Sequence, residues 1–99
     1  MKTDIKIHIL DFIPWGHQNA ISRQQLSLRT GLRDRINRAL IEQERKKGHC
    51  IISLKRGGYF RPLQNDDRPY VMEWYLRECS RAKSIDEGVK SAVSFLNQF

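Results

Sequence analysis

The side chains of this chain that are best suited to bind a ligand are cations gathered in two short segments. They are Arg33, Arg35 and Arg38 in the first segment, and Lys55 and Arg56 in the second. A guanidinium group presents a planar fork of donors, which matches the acceptor pair of guanine and the oxygens of a phosphate. Residues of this type at this density indicate a surface for a polyanion.

The positive charge is concentrated in the first two thirds of the 99-residue chain, whose formal net charge is +7. Residues 1–63 hold 13 Lys and Arg against 5 Asp and Glu, whereas residues 64–99 hold 5 against 6. We therefore expect residues 1–63 to form a domain that binds the polyanion. Residues 64–99 are expected to be a helical extension with a different role.

The residues that could serve as nucleophiles or metal ligands are scattered along the chain. Cys50 and Cys79 lack the paired spacing of zinc and redox sites, and His8, His17 and His49 lie equally far apart. No paired carboxylates, and no nucleophile beside a base, are found either. The sequence thus predicts reduced thiols, no metal or other cofactor, and no enzymatic activity.

The apolar stretches are too short to cross a bilayer. The longest ones, such as residues 9–13, fall far below the roughly 20 residues that a membrane-spanning helix needs. No charged and then apolar leader opens the sequence. We expect a cytoplasmic protein without a membrane partner.

Two predicted helices position the first group of cations. Ser22 and Gln25 have the spacing of a capping box, so a helix should begin at Arg23, and Gly31 should end it. Residues 33–47 contain no proline or glycine and favour a second helix. Two helices joined by a short glycine-containing turn form a helix-turn-helix unit, whose second helix enters the major groove of DNA.

The periodicity of the second helix predicts which of its sides faces the protein. The inward side is expected to carry Leu32, Ile36, Ala39, Leu40 and Gln43. The outward side is expected to carry Asp34, Arg35, Arg38, Glu42 and Arg45. Arg35 and Arg38 are then candidates for contacts to guanine, while Arg33 and Asn37 flank them and could contact bases or phosphates.

Two further pairs of residues are candidates for contacts to the DNA backbone. Ser22 and Arg23 lie at the start of the first helix, where backbone amides and the helix dipole favour a phosphate. Ser22 could instead use its side chain to cap the helix, which competes with a phosphate contact. Lys55 and Arg56 would reach the minor groove or the adjacent backbone.

The second group of cations lies in a predicted β-hairpin. Residues 50–54 and 59–63 are β-prone and flank a turn that ends in Gly57 and Gly58. Strand alternation predicts that one of Tyr59 and Phe60 faces the core and that the other is partly exposed.

The beginning of the chain is expected to form a helix over residues 5–13, which Pro14 ends. Trp15 follows this helix and is expected to close over the core.

The last 36 residues read as a long helix that begins after Asp66 or Asp67, with Pro69 in its first turn. Its apolar positions recur near a 3.5-residue spacing, as in a coiled-coil seam: Val71, Tyr75, Ala82, Ile85, Val89, Ala92, Leu96 and Phe99. Glu78 and Gly88 interrupt the seam. A homodimer, a helix folded back on its own domain, and a separate helix capped near residues 83–86 are the open alternatives.

Four segments together resemble the small winged helix-turn-helix proteins of phages and prophages of Gram-positive bacteria. They are ILDFIP at 9–14, NAISR at 19–23, TGLRDR at 30–35 and RGGYF at 56–60. The resemblance covers residues 5–63 and implies an α+β, mostly α fold in which the hairpin is the wing. It also implies DNA binding in transcription regulation, replication or recombination.

The resemblance leaves a second function open. A winged helix also serves as a protein-protein interaction module, for instance a phage adaptor that binds a host protein. Near-equal binding to unrelated duplexes, lost at modest salt, would favour that alternative. RNA binding is less well supported, because aromatic stacking platforms on a sheet are missing from the pattern.

Overall fold

The computed structural model describes residues 7–63 and 65–98 and has an α+β, mostly helical architecture, as expected. Short 3-10 turns at Ile9–Phe12, His17–Asn19 and Asn65–Asp67 connect the regular elements. Those elements are α1 (Arg23–Thr30), α2 (Asp34–Lys46), β1 (Ile52–Ser53), β2 (Tyr59–Phe60) and α3 (Arg68–Gln98).

Local signals set both ends of α1. The Ser22 hydroxyl accepts a hydrogen bond from the Gln25 amide at 3.1 Å, which satisfies one of the free donors at the helix start. Gly31 ends the helix with φ 74°, a left-handed conformation that strains any residue with a Cβ. Leu26 lies in the core. The predicted start, end and inward residue of α1 are confirmed.

The inward side of α2 is rotated from the predicted one. Asn37 and Ile41 are buried, whereas Ala39 and Gln43 are exposed. Leu32, Ile36 and Leu40 are half-buried, so the prediction holds in part. It was wrong for Ala39 and Gln43, because it counted a polar asparagine among the residues that flank the outward side. Asn37 is satisfied internally, and hydrogen-bonded polar groups can be buried without a large penalty.

A two-stranded antiparallel hairpin follows α2, with Ile52 opposite Phe60 and Ser53 opposite Tyr59. Gly57 and Gly58 make the turn at φ 94° and 114°, which confirms the predicted glycine turn. The Ile21 and Tyr59 amides and carbonyls exchange hydrogen bonds of 2.9 and 2.8 Å. The hairpin is thereby attached to the segment before α1.

Apolar residues cover both faces of the hairpin. One cluster joins the 3-10 turn at Ile9–Phe12, α1 and α2 to it and consists of Ile9, Ile13, Ile21, Leu26, Ile41, Ile51 and Tyr59. A second cluster of Ile52, Leu54 and Phe60 packs against Tyr70, Val71 and Trp74 of α3. Tyr59 and Phe60 are therefore both buried. The prediction that one of them is partly exposed was wrong, because α3 covers the second face of the strands.

The segment before α1 differs from its prediction. Residues 5–6 of the predicted helix lie outside the described residues, and the remainder forms only the short 3-10 turn at Ile9–Phe12. Trp15 does not close over the core: it is 48% exposed, and the Arg61 guanidinium lies 4.0 Å above its ring. A cation-π contact stabilises such a ring at the surface.

The last helix is continuous through Gly88, so the alternative of a separate helix near residues 83–86 is wrong. Its first three turns pack on the hairpin through the second cluster. Residues 79–98 are exposed, so this part of the helix is not folded back onto the core formed by the other described residues. Within the described residues, no helix has the length and apolar character needed to span a membrane.

A buried carboxylate anchors the start of α3. Asp67 is 1% exposed and accepts hydrogen bonds from the Leu63 amide at 2.6 Å and from the backbone amide and ring Nδ1 of His17 at 3.2 and 2.7 Å. The His17 ring in turn stacks on Tyr70 at 4.2 Å. Burial by itself would raise the pKa of Asp67, but the hydrogen bonds outweigh it and hold the pKa below 3.8.

We expect the replacement Asp67→Asn to lower the free energy of unfolding at pH 7 by about 1–3 kcal/mol, since it leaves buried donors poorly satisfied. Because the pKa of Asp67 is lower in the folded protein than in the unfolded chain, the ionised carboxylate stabilises the fold at pH values above the unfolded pKa of about 3.9. This stabilisation disappears as the pH falls through the pKa that Asp67 has in the folded protein. The unfolding free energy should therefore fall less steeply below pH 4 in the variant. Urea titrations across pH 2–7 measure both effects. Asp66→Asn, at an exposed neighbour, is the matched control, and an equal loss in both variants would contradict the anchoring role.

Candidate nucleic-acid interface

The first turns of α2 present two exposed arginines. Arg35 and Arg38 are the second and fifth residues of the helix, and neither makes a hydrogen bond or ion pair with another described residue. Arg33, at the N-cap position, is exposed as well. The outward placement predicted for Arg35 and Arg38 matches their exposure, so their donors are open to a ligand.

Arg23 is not a free cation. Its Nε lies 2.9 Å from Asp34 Oδ1, and its Nη2 contacts the other carboxylate oxygen, so α1 and the start of α2 are joined by a two-pronged ion pair. The hydrogen bond with Asp34 raises the pKa of Arg23, and the same bond lowers the pKa of Asp34. Arg23 remains more than half exposed, so a phosphate contact by Arg23 stays a prediction. So does a contact by Ser22, although its capping role is now observed.

Asn37 has to be removed from the predicted contacts. It is 1% exposed, its Oδ1 accepts a hydrogen bond from Thr30 Oγ1 at 3.1 Å, and its Nδ2 donates to Ser27 Oγ at 3.2 Å. The side chain therefore joins α2 to α1 and is out of reach of a ligand. The sequence could not show this, because an asparagine beside exposed arginines has the same spacing whether it is solvated or buried.

Arg45 was also placed on the outward side, and this was wrong. Its side chain is only 18% exposed, and its three nitrogens lie 2.9 Å from the Ile51 carbonyl, 2.7 Å from Glu42 and 3.2 Å from Ser53 Oγ. The guanidinium also lies 4.8 Å from the centre of the Trp74 ring. Arg45 thus joins α2, β1 and α3, which makes its role mainly structural.

The hairpin presents the remaining predicted cations at its tip. Lys55 and Arg56 are exposed in the turn before Gly57 and make no hydrogen bond or ion pair with any residue in the described part of the chain. No packing role competes for them.

The outward side of α2, the hairpin and α3 enclose one groove with a volume of about 830 Å³. The described residues that line it include six cations, namely Arg23, Arg35, Arg38, Arg45, Lys55 and Arg81, and two carboxylates, Glu42 and Glu78. The groove therefore has a strongly positive lining, and a low-dielectric concave wall concentrates such a potential. Sequence reasoning missed Arg81, because it lies in the near-neutral last third and more than 40 residues beyond Arg38.

The side of α3 that lines the groove also carries an apolar strip, which continues past the groove toward residue 98. Tyr75, Ile85, Val89 and Leu96 are each more than half exposed, and successive members of this set lie ten, four and seven residues apart. Exposed apolar patches of this kind are commoner at interaction sites than elsewhere on a protein surface.

The described residues contain no group of three or more His, Cys, Asp or Glu side chains that could hold a metal ion. Cys50 and Cys79 are free and exposed. Burial of part of the Cys50 side chain raises the pKa of its thiol, which keeps it protonated at neutral pH.

Comparison with known proteins gave no match: no family model, curated protein or solved structure matches this chain.

Proposed function

We propose that the chain binds double-stranded DNA sequence-specifically as a winged helix-turn-helix domain, with α2 in the major groove and the β1–β2 hairpin as the wing. The observation that carries this proposal is that Arg35 and Arg38, exposed and unpaired, share one groove with Lys55 of the hairpin. The resemblance stated above supports a role in phage or prophage transcription regulation, replication or recombination.

The roles of the individual residues follow from their positions. Arg35 and Arg38 lie at the end of α2 that enters the groove, where a guanidinium fork can bind O6 and N7 of guanine. Arg33 contacts a base or a phosphate beside them. The amides at the start of α1 favour a phosphate near Ser22 and Arg23. Lys55 and Arg56 of the wing contact the minor groove or its backbone.

Selection of binding sites from random duplexes at fixed salt tests the proposed function with the intact protein. We expect enriched sites that contain guanine and bind at least about 1,000-fold more tightly than random duplexes. Near-equal binding to all duplexes, lost at modest salt, would contradict sequence-specific binding and favour the protein-interaction module instead.

The exposed strip of α3 supports a homodimer as part of this proposal. The part of the strip that a second copy can cover without closing the groove runs from Ile85 to Leu96 and is about 17 Å long at 1.5 Å per residue, which is enough for a short paired helix. Two copies related by a two-fold axis would present two α2 helices to half-sites about 34 Å apart on a near-palindromic site.

We expect sedimentation equilibrium to show a dimer with a dissociation constant on the order of micromolar, because Glu78 and Gly88 weaken the seam. Replacing Val89 and Leu96 together by Asp should give a monomer, since it would bury unpaired charges in the interface without touching the groove. Ser84→Asp with Ser91→Asp adds the same charge on the opposite side of α3 and should leave the dimer intact. A wild-type chain that is strictly monomeric at about 100 times that constant would remove the dimer from the proposal. Truncation at Leu63 is unsuitable, because it would uncover the second cluster.

A further inference from the structure

The third wall of the positive groove is formed by α3, which belongs to the near-neutral last third of the chain and not to its basic part. Glu78, Arg81, Ala82 and Ile85 line the groove from this side. These positions recur at intervals of three and four residues, so a single side of α3 faces α2 and the hairpin. The groove is thus a three-walled site that combines residues from both parts of the chain.

The charge in the groove is only partly compensated by its own carboxylates. Glu42 is held by Arg45 at 2.7 Å. The second carboxylate, Glu78, forms a loose ion pair with Arg81 at 3.8 Å, which is beyond hydrogen-bond distance. The Arg81 side chain is 71% exposed and keeps its donors available for an incoming anion.

The packing of α3 holds Arg81 at a defined place opposite the cations of α2. Tyr70, Val71 and Trp74 seat the helix on the second cluster, and Arg77 donates a hydrogen bond to the Ser53 carbonyl one turn before Arg81. The backbone from which Arg81 projects is therefore fixed relative to β1. A ligand between the walls can contact Arg81 and the α2 cations at the same time.

We propose that this groove receives the sugar-phosphate backbone of one strand of a bound duplex and that Arg81 contacts a phosphate there. The inference rests on the proposed function and adds a DNA contact from α3. A helix in the major groove is bordered by a phosphate backbone on each side, and the border nearer the wing coincides with this groove. A continuous ridge of phosphates can engage cations on facing walls, and a guanidinium fork binds phosphate oxygens in pairs.

The test is the salt dependence of binding of the full chain to its selected duplex and to a random duplex. Each phosphate contact contributes about 0.9 to the slope of the logarithm of affinity against the logarithm of salt concentration. Arg81→Ala should lower the slope by about that amount and weaken binding to both duplexes by a similar factor. The matched control is Lys83→Ala, which removes the same charge from the same helix about 200° around its axis and away from the groove. Arg81→Lys should restore most of the slope.

Three results would overturn the assignment in distinguishable ways. Equal slopes for the wild type, Arg81→Ala and Lys83→Ala, with tight binding in all three, would refute the contact and leave the proposed function intact. Absence of duplex binding by the wild type at low salt would refute the proposed function and the inference together. Unchanged duplex binding by Arg81→Ala, with selective loss of binding to poly-L-glutamate, would assign the groove to an acidic protein.

Discussion

Replacing Phe60 by alanine is expected to lower the free energy of unfolding by about 3–5 kcal/mol. Phe60 is 0% exposed, and its ring meets that of Tyr70 edge to face with 6.2 Å between the centroids. The substitution would remove the largest side chain of the second cluster and leave a cavity between the hairpin and α3. Domains of this size are stabilised by only about 5–15 kcal/mol, so a large part of the total would be lost.

Urea or thermal unfolding monitored by circular dichroism measures this loss. Leu28→Ala is the matched control, because Leu28 is strongly exposed and its truncation should change stability by no more than about 0.5 kcal/mol. A loss below 1 kcal/mol for the Phe60 variant would mean that α3 is not seated on the hairpin in solution. The three-walled groove would then not exist as described.

Replacing Arg35 and Arg38 together by alanine is expected to abolish most of the preference for the selected DNA site. Each guanidinium that reads a guanine contributes about 1–3 kcal/mol of discrimination, so the double variant should lose between about 30-fold and about 20,000-fold in affinity for that site. Binding to random duplexes should decrease far less. Neither side chain makes a hydrogen bond or ion pair with another described residue, so the fold should be unaffected.

Competition titrations at constant salt measure the two affinities side by side. Arg29→Ala is a suitable control, because Arg29 is exposed at the end of α1 and does not line the groove. Equal losses of affinity on selected and random DNA would show that Arg35 and Arg38 contact phosphates. Unchanged binding to both would remove α2 from the interface.

Features that depend on a few neighbouring residues could be predicted from the sequence. The Ser22 cap, the Gly31 helix end and the Gly57-Gly58 turn each need a particular side chain or a particular backbone conformation at one position. The type and order of the elements from α1 to β2 follow from these signals. The exposure of Arg35 and Arg38 also follows, because a strongly charged side chain is rarely buried without a partner.

Features that depend on tertiary contacts could not be predicted in the same way. Asn37 and Arg45 are polar and lie on a helix among charged residues, yet partners on α1 and β1 draw both of them inward. The burial of Phe60 depends on α3, which approaches the hairpin from the far end of the sequence. Arg81 belongs to the candidate site for the same reason: only the packing of α3 brings it opposite α2.

The seating of α3 also changes the energetics of helix formation in its exposed part. An isolated helix is costly to start in water, because its first turn fixes several dihedral angles in return for a single hydrogen bond. In this chain the turns near Tyr70 and Trp74 are held by the hairpin and serve as a preformed nucleus, so each residue after Arg77 needs only propagation. Gly88 is the least favourable propagation step, since it has no side chain to restrict the unfolded backbone. We therefore expect the residues after Gly88 to unfold more readily than those before it, and any partner that covers Val89 and Leu96 would suppress this local unfolding as it binds.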